Sequence, residues 1–142
     1  PEIIYNNWDD LELLFSLNKL VFGDKSSFCD EYEENVYRDL IKLPYKWLLS
    51  TVRLDGDVSA VYLGLTHKHC YYALTVGYKR EIKDINQFLN LQYINEAKKM
   101  GAEKIDFGYN DCGWKERWNL ERIEYHQYVC PPGMFDTKEV MV

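Results

Sequence analysis

The sequence predicts an α/β fold: a mixed, mostly antiparallel sheet flanked by helices. Three observations carry that expectation. Two amphipathic helical stretches open the chain, and three strand-like segments joined by tight turns follow. A further helix then leads into a short apolar strand ahead of an aromatic, cationic loop. A strand–helix–strand connection of that kind is ordinarily a right-handed parallel crossover, which adds one parallel pair to an antiparallel meander.

Asn7 is placed to cap a first helix over roughly residues 8–22, in which Leu11, Leu14, Phe15, Asn18 and Val21 recur at helical spacing until Gly23 ends it. Ser27 with Asp30 opens a second helix, with Phe28, Tyr32, Val36, Leu40 and Ile41 as its apolar stripe and Pro44 beyond its end. Its acidic pair Glu33-Glu34 reads as a solvated outer face. Residues 46–53 and 58–65 form strands around the turn Asp55-Gly56-Asp57. The polar run Thr66-His67-Lys68-His69 turns the chain into a third strand, residues 70–78. Asp84 with Gln87 reads as a capping box for a third helix reaching Met100, with Ile85, Phe88, Leu89, Tyr93 and Ala97 facing a sheet. Gly101 ends it and residues 103–107 form the next strand. Residues 122–129 read as a later strand, and Pro131-Pro132-Gly133 closes the organised part.

The bulk composition narrows the classes of function. The 142 residues fit one domain, residues 1–142, while an initial Pro1 leaves open that this is a piece of a longer protein. An apolar share of 46% with 15% aromatics can bury a core without disulfides or a structural metal. A formal charge of −6 argues against general binding to DNA or RNA backbone, although Lys79, Arg80 and Lys83 cluster locally, as do Lys115 and Arg117. Cys29, Cys70, Cys112 and Cys130 form no CxxC pair, so free thiols in a reducing cytoplasm are expected. No apolar run approaches the ~20 residues that cross a bilayer.

Chemistry is expected in two places. The parallel crossover leaves a crevice outside the strand ends, beside Val76, Gly77 and Tyr78 and the start of the third helix at residues 84–88. Free helix-start amides hold anions; Lys79, Arg80 and Lys83 favour one there, and Glu81 and Asp84 oppose it. Gly77 permits either a ligand's close approach or a strand bulge. The second place is the run Asp106-Phe107-Gly108-Tyr109-Asn110-Asp111-Cys112-Gly113-Trp114-Lys115-Glu116-Arg117-Trp118. Here Asp106 reads as a proton-relay group or a turn cap, Tyr109 as a proton donor to a leaving group or a packing residue, and Asp111 as a base or a turn residue. Lys115 and Arg117 are candidates to hold an anionic part of a ligand. His67 and His69 lack the partners of a metal set and read as a polar turn; Cys112 has no identifiable base, and His126 reads as structural.

The order of these parts resembles the GNAT acyltransferase fold, and more narrowly its CelD-like and FemAB-like branch. The matching stretch is residues 58–118: the strand Tyr71-Tyr72-Ala73-Leu74-Thr75-Val76-Gly77-Tyr78, the helix end Glu96-Ala97-Lys98-Lys99-Met100-Gly101, Asp106-Phe107-Gly108, and Trp114-Lys115-Glu116-Arg117-Trp118. The resemblance implies an N-acyltransferase that moves an acyl group from acyl-coenzyme A, such as acetyl-CoA, to an amine on a small molecule or a sugar-linked acceptor, with no metal. It implies a donor site at Val76, Gly77, Tyr78, Lys79, Arg80, Lys83, Asn86 and Gln87, substrate contacts at Lys115 and Arg117 to an anionic part of donor or acceptor, and catalytic roles for Asp106, Tyr109 and Asp111. One departure stands out. Ordinary members carry a glycine-rich turn before the third helix, whereas this chain has Lys83-Asp84-Ile85-Asn86-Gln87. Two alternatives therefore stay open, an aminoacyl-tRNA-dependent transferase and a non-catalytic module of the same fold.

Overall fold

The computed structural model describes residues 1–108, 114–122 and 124. The chain divides into two units, Pro1–Gly108 and Tyr109–Val142. In the first, β1 (Glu2–Tyr5) and a 3-10 turn (Trp8–Asp10) precede α1 (Leu11–Phe22) and α2 (Glu31–Leu40). Three long strands follow, β2 (Lys46–Leu54), β3 (Asp57–His67) and β4 (Cys70–Tyr78), then α3 (Ile85–Lys99) and β5 (Lys104–Asp106). In the second unit the described residues include a short helix, α4 (Trp114–Arg117).

The sheet order is β1-β2-β3-β4-β5, antiparallel throughout except for the parallel pair β4–β5. Successive strand residues point to opposite faces, and the two faces have different covers. Leu49, Val61 and Leu63 pack with Leu11, Leu14, Phe15 and Leu17 of α1 and with Phe28, while Val52, Ala60, Tyr62 and Tyr71 pack with Ile85, Leu89, Tyr93 and Ala97 of α3. The turns follow local chemistry. Asp55 and Gly56 both have positive φ, as do Lys68 and His69, the backbone signature of a two-residue hairpin turn whose twist matches its strands. At the end of α3, the Gly101 N–H donates to the Lys98 carbonyl and the Ala102 N–H to the Ala97 carbonyl, the paired closure that a positive-φ glycine permits.

The expected helices and strands occur in the expected order, with five local corrections. Strand β1 was not anticipated; it pairs Ile3 with Val52 and Ile4 with Thr51, and only a long-range partner makes so short a segment a strand. The capping box at Asp84 is absent: Asp84 has φ 59 and its side chain caps nothing, so the helix begins from a left-handed turn instead. Asn7 caps through its backbone carbonyl and not its side chain. Tyr32, expected on an apolar stripe, is 72% exposed, because Phe28 ahead of α2 and Tyr37 inside it take the packing position. Glu34 is not a solvated acid: it is largely covered and ion-paired with Lys19 and Arg38, which hold its carboxyl below the ordinary value, chiefly through the Lys19 hydrogen bond. The expected strand at residues 122–129 and everything beyond it lie outside the described residues, apart from Arg122 and Glu124.

Candidate functional site

The sheet divides at β4. Its parallel register with β5 runs Cys70 to Lys104, Tyr71 to Ile105 and Tyr72 to Asp106, and stops there; among the described residues β4 continues to Tyr78 against β3 alone. The separation coincides with an irregularity. On β3 the neighbours Leu63 and Gly64 pair with Thr75 and Ala73, so Leu74 is an extra residue in β4. Such a bulge turns successive side chains to one face and bends the strand. Leu74 and Thr75 accordingly both lie on the α1 side, whereas Tyr71, Ala73, Val76 and Tyr78 pack on the α3 side.

The expected donor residues distribute along this edge. Val76 and Tyr78 pack against the α3-side core, and the Val76 carbonyl accepts a 2.7 Å hydrogen bond from Asn18 Nδ2 of α1. Asn18 is itself 3% exposed and accepts from Ser26 Oγ, so a side chain of α1 serves a carbonyl of β4. Gly77 meets that same helix: a Cβ there would stand 2.5 Å from the Asn18 nitrogen and 2.6 Å from the Leu17 Cβ. The close approach it permits is therefore that of α1, and the bulge lies at Leu74. The Lys79 N–H donates to the Ser59 carbonyl, and the Arg80 guanidinium donates to the Val21 carbonyl at the end of α1. Lys83, Asn86 and Gln87 are exposed around the first turn of α3. Asp84 there takes the left-handed backbone that usually falls to glycine, so the turn keeps a glycine-like shape without the glycine.

At the point of separation, the Asp106 carboxylate accepts from the Gly108 N–H at 2.7 Å, closing a turn. Tyr72, its register partner, is half-buried, and its phenol is pushed above the ordinary value, first by the charge of neighbouring Cys70 and then by burial, with Asp106 adding to the effect. A shallow cleft of about 240 Å³ lies beside Tyr72 on its β3 side, lined among the described residues by Tyr45, Leu65, His67, Tyr72 and Leu74. Sequence reasoning did not find it, since its parts come from two strands and from Tyr45 just ahead of β2, and Leu74 lines it only because of the bulge.

A second polar group also escaped the sequence reading. Glu96 of α3 is 2% exposed between helix and sheet. Ser50 Oγ donates to its Oε1 at 3.0 Å, Tyr62 Oη to the same oxygen at 2.5 Å, and Tyr71 Oη to Oε2 at 3.1 Å. Burial raises the carboxyl above its ordinary value although these three donors pull it back down; burial also raises the phenols of Tyr62, Tyr71 and Tyr93. The signal was present: Glu96 lies three residues after Tyr93 and seven after Leu89, on the inner stripe of its helix.

Among the other sequence candidates, Lys115 Nζ stands 5.8 Å from the Trp114 ring centroid, and Arg117 is exposed. Tyr109, Asp111, Cys112, His126 and Cys130 lie outside the described residues. Cys29 and Cys70 are free thiols. Among the described residues no cluster of three or more His, Cys, Asp or Glu side chains could hold a metal, and no helix is long and apolar enough to cross a membrane.

Comparison with known proteins adds the following. A family model described as an acetyltransferase (GNAT) domain matches residues 4–116. No curated protein matches significantly. Solved structures share the fold at low identity. A predicted acetyltransferase with acetyl-CoA from Clostridium acetobutylicum is 12% identical, with TM-score 0.64 over 91% of this chain and 95% of that one. AAC(6')-Iy in complex with the bisubstrate analog CoA-S-monomethyl-acetylneamine is 9% identical, with TM-score 0.62 over 91% and 98%. The aminoglycoside acetyltransferase meta-AAC0020 from an uncultured soil metagenomic sample, in complex with sisomicin, is 13% identical, with TM-score 0.63 over 92% and 96%.

Proposed function

The chain belongs to the GNAT acetyltransferase domain family, and from that premise we propose that it transfers an acyl group from acyl-coenzyme A to the amine of a small molecule by direct attack. The observation that carries this reading is the separation of β4 from β5 beyond Tyr72 and Asp106, at the Leu74 bulge. A strand edge with no second strand beside it among the described residues offers fixed backbone groups to an extended ligand. The same reading assigns the chain to the CelD-like, FemAB-like branch, supported by Asp106-Phe107-Gly108 and by Trp114-Lys115-Glu116-Arg117-Trp118.

In this scheme the acyl thioester lies along residues 73–78, and an amide among Val76, Gly77 and Tyr78 polarises its carbonyl. A pre-aimed N–H stabilises the oxygen as negative charge develops on it. The pyrophosphate lies at the first turn of α3, near the exposed Lys83, Asn86 and Gln87, with Lys79 and Arg80 contributing charge. The neutral amine forms the C–N bond, the C–S bond breaks with its electron pair going to sulfur, and an amine proton ends on the thiolate. Asp106, Tyr109 and Asp111 are the proposed proton-handling groups, and Lys115 and Arg117 the proposed contacts to an anionic part of the ligand. Positioning supplies most of the rate, because no nucleophile of the protein is needed. The complexes of similar proteins with acetyl-CoA, a coenzyme A bisubstrate analog and sisomicin support this pairing of donor and amine.

Isothermal titration calorimetry of the folded chain with coenzyme A and acetyl-coenzyme A tests the proposal. Saturable micromolar binding to both is expected. Absence of heat with either would move the reading to a tRNA-borne aminoacyl donor, if an aminoacyl-tRNA then binds, or to a non-catalytic module if it does not.

A further inference from the structure

We propose that Glu96 is a positioning residue for the donor edge: acting through Tyr71, its protonation state sets the backbone of β4 at the Leu74 bulge. The inference rests on the acyl-transfer reading only in taking that edge as the thioester's place. Glu96 lies between α3 and the sheet, closed off from solvent. Tyr5 of β1, Ser50 of β2, Tyr62 of β3 and Tyr71 of β4 face it, with Tyr93 and Lys99 from its own helix. Among the described residues none of these contacts is an ion pair. Burial works against the carboxylate, while the hydrogen bonds from Tyr62, Ser50 and Tyr71 support it, helped by the Lys99 charge.

The two forms of the acid bond differently. A carboxylate only accepts, and it takes all three donors, Ser50 Oγ and Tyr62 Oη on Oε1 and Tyr71 Oη on Oε2. A carboxylic acid must also donate its one hydrogen. Oε1 already holds two donors, so the proton belongs on Oε2, facing the Tyr71 hydroxyl. Tyr71 then accepts where it had donated, and its own hydrogen loses the one acceptor it has among the described residues. The side chain is fully buried, so that hydrogen has no water to turn to. Its ring lies against Gly64, so closely that a Cβ there would collide with it. Leu63 and Gly64 are the β3 residues between which the register with β4 shifts, leaving Leu74 as the extra residue. Moving the phenol therefore acts on the bulge and on Thr75 and Val76 beyond it, within the proposed donor edge.

The test is an NMR titration of the full chain, labelled with ¹⁵N and with ¹³C at the glutamate carboxyls, from about pH 4 to 8, which spans ordinary and raised carboxyl values. The Leu74, Thr75 and Val76 amides should titrate with the midpoint of the Glu96 carboxyl, and Glu96→Gln should remove that midpoint from all three. Tyr71→Phe keeps the ring against Gly64 and removes the hydroxyl. In that variant Glu96 should still titrate, while the three amides follow it several-fold less. Calorimetry with acetyl-coenzyme A should show several-fold tighter binding to the wild type with Glu96 ionised than protonated, beyond the pH dependence of Tyr71→Phe. No midpoint shared with Glu96 in the wild type, or equal following in Tyr71→Phe, overturns the proposal. Equal pH dependence of affinity in two proteins that both bind overturns its role toward the donor. The amide titrations need no ligand, so absence of acetyl-coenzyme A binding at every pH counts against the acyl-transfer reading, and the amides still decide the coupling.

Discussion

The ring of Tyr71 crosses β3 directly over Gly64, so closely that a Cβ on that glycine would lie 2.5 Å from the tyrosine Cζ. This places the Tyr71 hydroxyl on Glu96, and the missing side chain on one strand thereby sets a hydrogen bond to a helix. Gly64→Ala should cost about 2 kcal/mol, the scale of overpacking in a tight core, as read by urea denaturation. In a Tyr71→Ala background the same substitution should cost almost nothing. Equal costs in the two backgrounds would show that the ring is not what Gly64 accommodates.

Glu96 makes the stability of the fold depend on pH. Its folded-state value is raised by burial, above the ordinary value of about 4.3. The stability contributed by the protonated acid is therefore complete below that value and is lost as pH rises through the folded-state value. Glu96→Gln, which keeps the shape and an acceptor for Ser50 and Tyr62, should lose less stability than the wild type as pH rises from about 4 to 8. Thermal melts across that range check this; parallel curves for the two proteins would remove Glu96 as the source.

Asn18 joins α1 to the free edge of β4 through the Val76 carbonyl. Asn18→Ala leaves that carbonyl and the Ser26 hydroxyl without their partner, a loss of about 1–3 kcal/mol for buried polar groups. Because the lost bond is to β4 itself, amide hydrogen exchange at Val76 and Gly77 should accelerate more than exchange at Val61. Uniform acceleration across the sheet would mean that Asn18 supports the core generally and not this edge.

Asp84 occupies a positive-φ position at the start of α3 with a carboxylate that caps nothing. Asp84→Gly removes a left-handed strain of roughly 1 kcal/mol and one negative charge from the proposed pyrophosphate position. Both stability and coenzyme A affinity should rise, the latter several-fold at low ionic strength and less at high salt. Unchanged affinity at low salt would place the donor's phosphates elsewhere.

Much of the architecture was legible because it is written in local chemistry. The apolar spacing of Leu11, Leu14 and Phe15, the Asp55-Gly56 turn, and Gly101 after Met100 each act within a few residues, and the structure keeps each of them. The crossover from residues 70–78 into 103–107 could be read because handedness and helix length leave few ways to return. Tertiary structure decided the remainder. A four-residue strand at Glu2–Tyr5 exists because β2 offers it an edge. The spacing left Gly77 open to a ligand's approach or a bulge, and only the fold shows α1 packed against it; Glu96 stood in the sequence simply as part of a helix end, and only the fold brings two tyrosines and a serine from three strands onto it. The bulge at Leu74 depends on the count of residues paired on β3, a relation between segments that neither carries alone. Periodicity records which way a side chain faces; only the partner across the sheet decides what it meets.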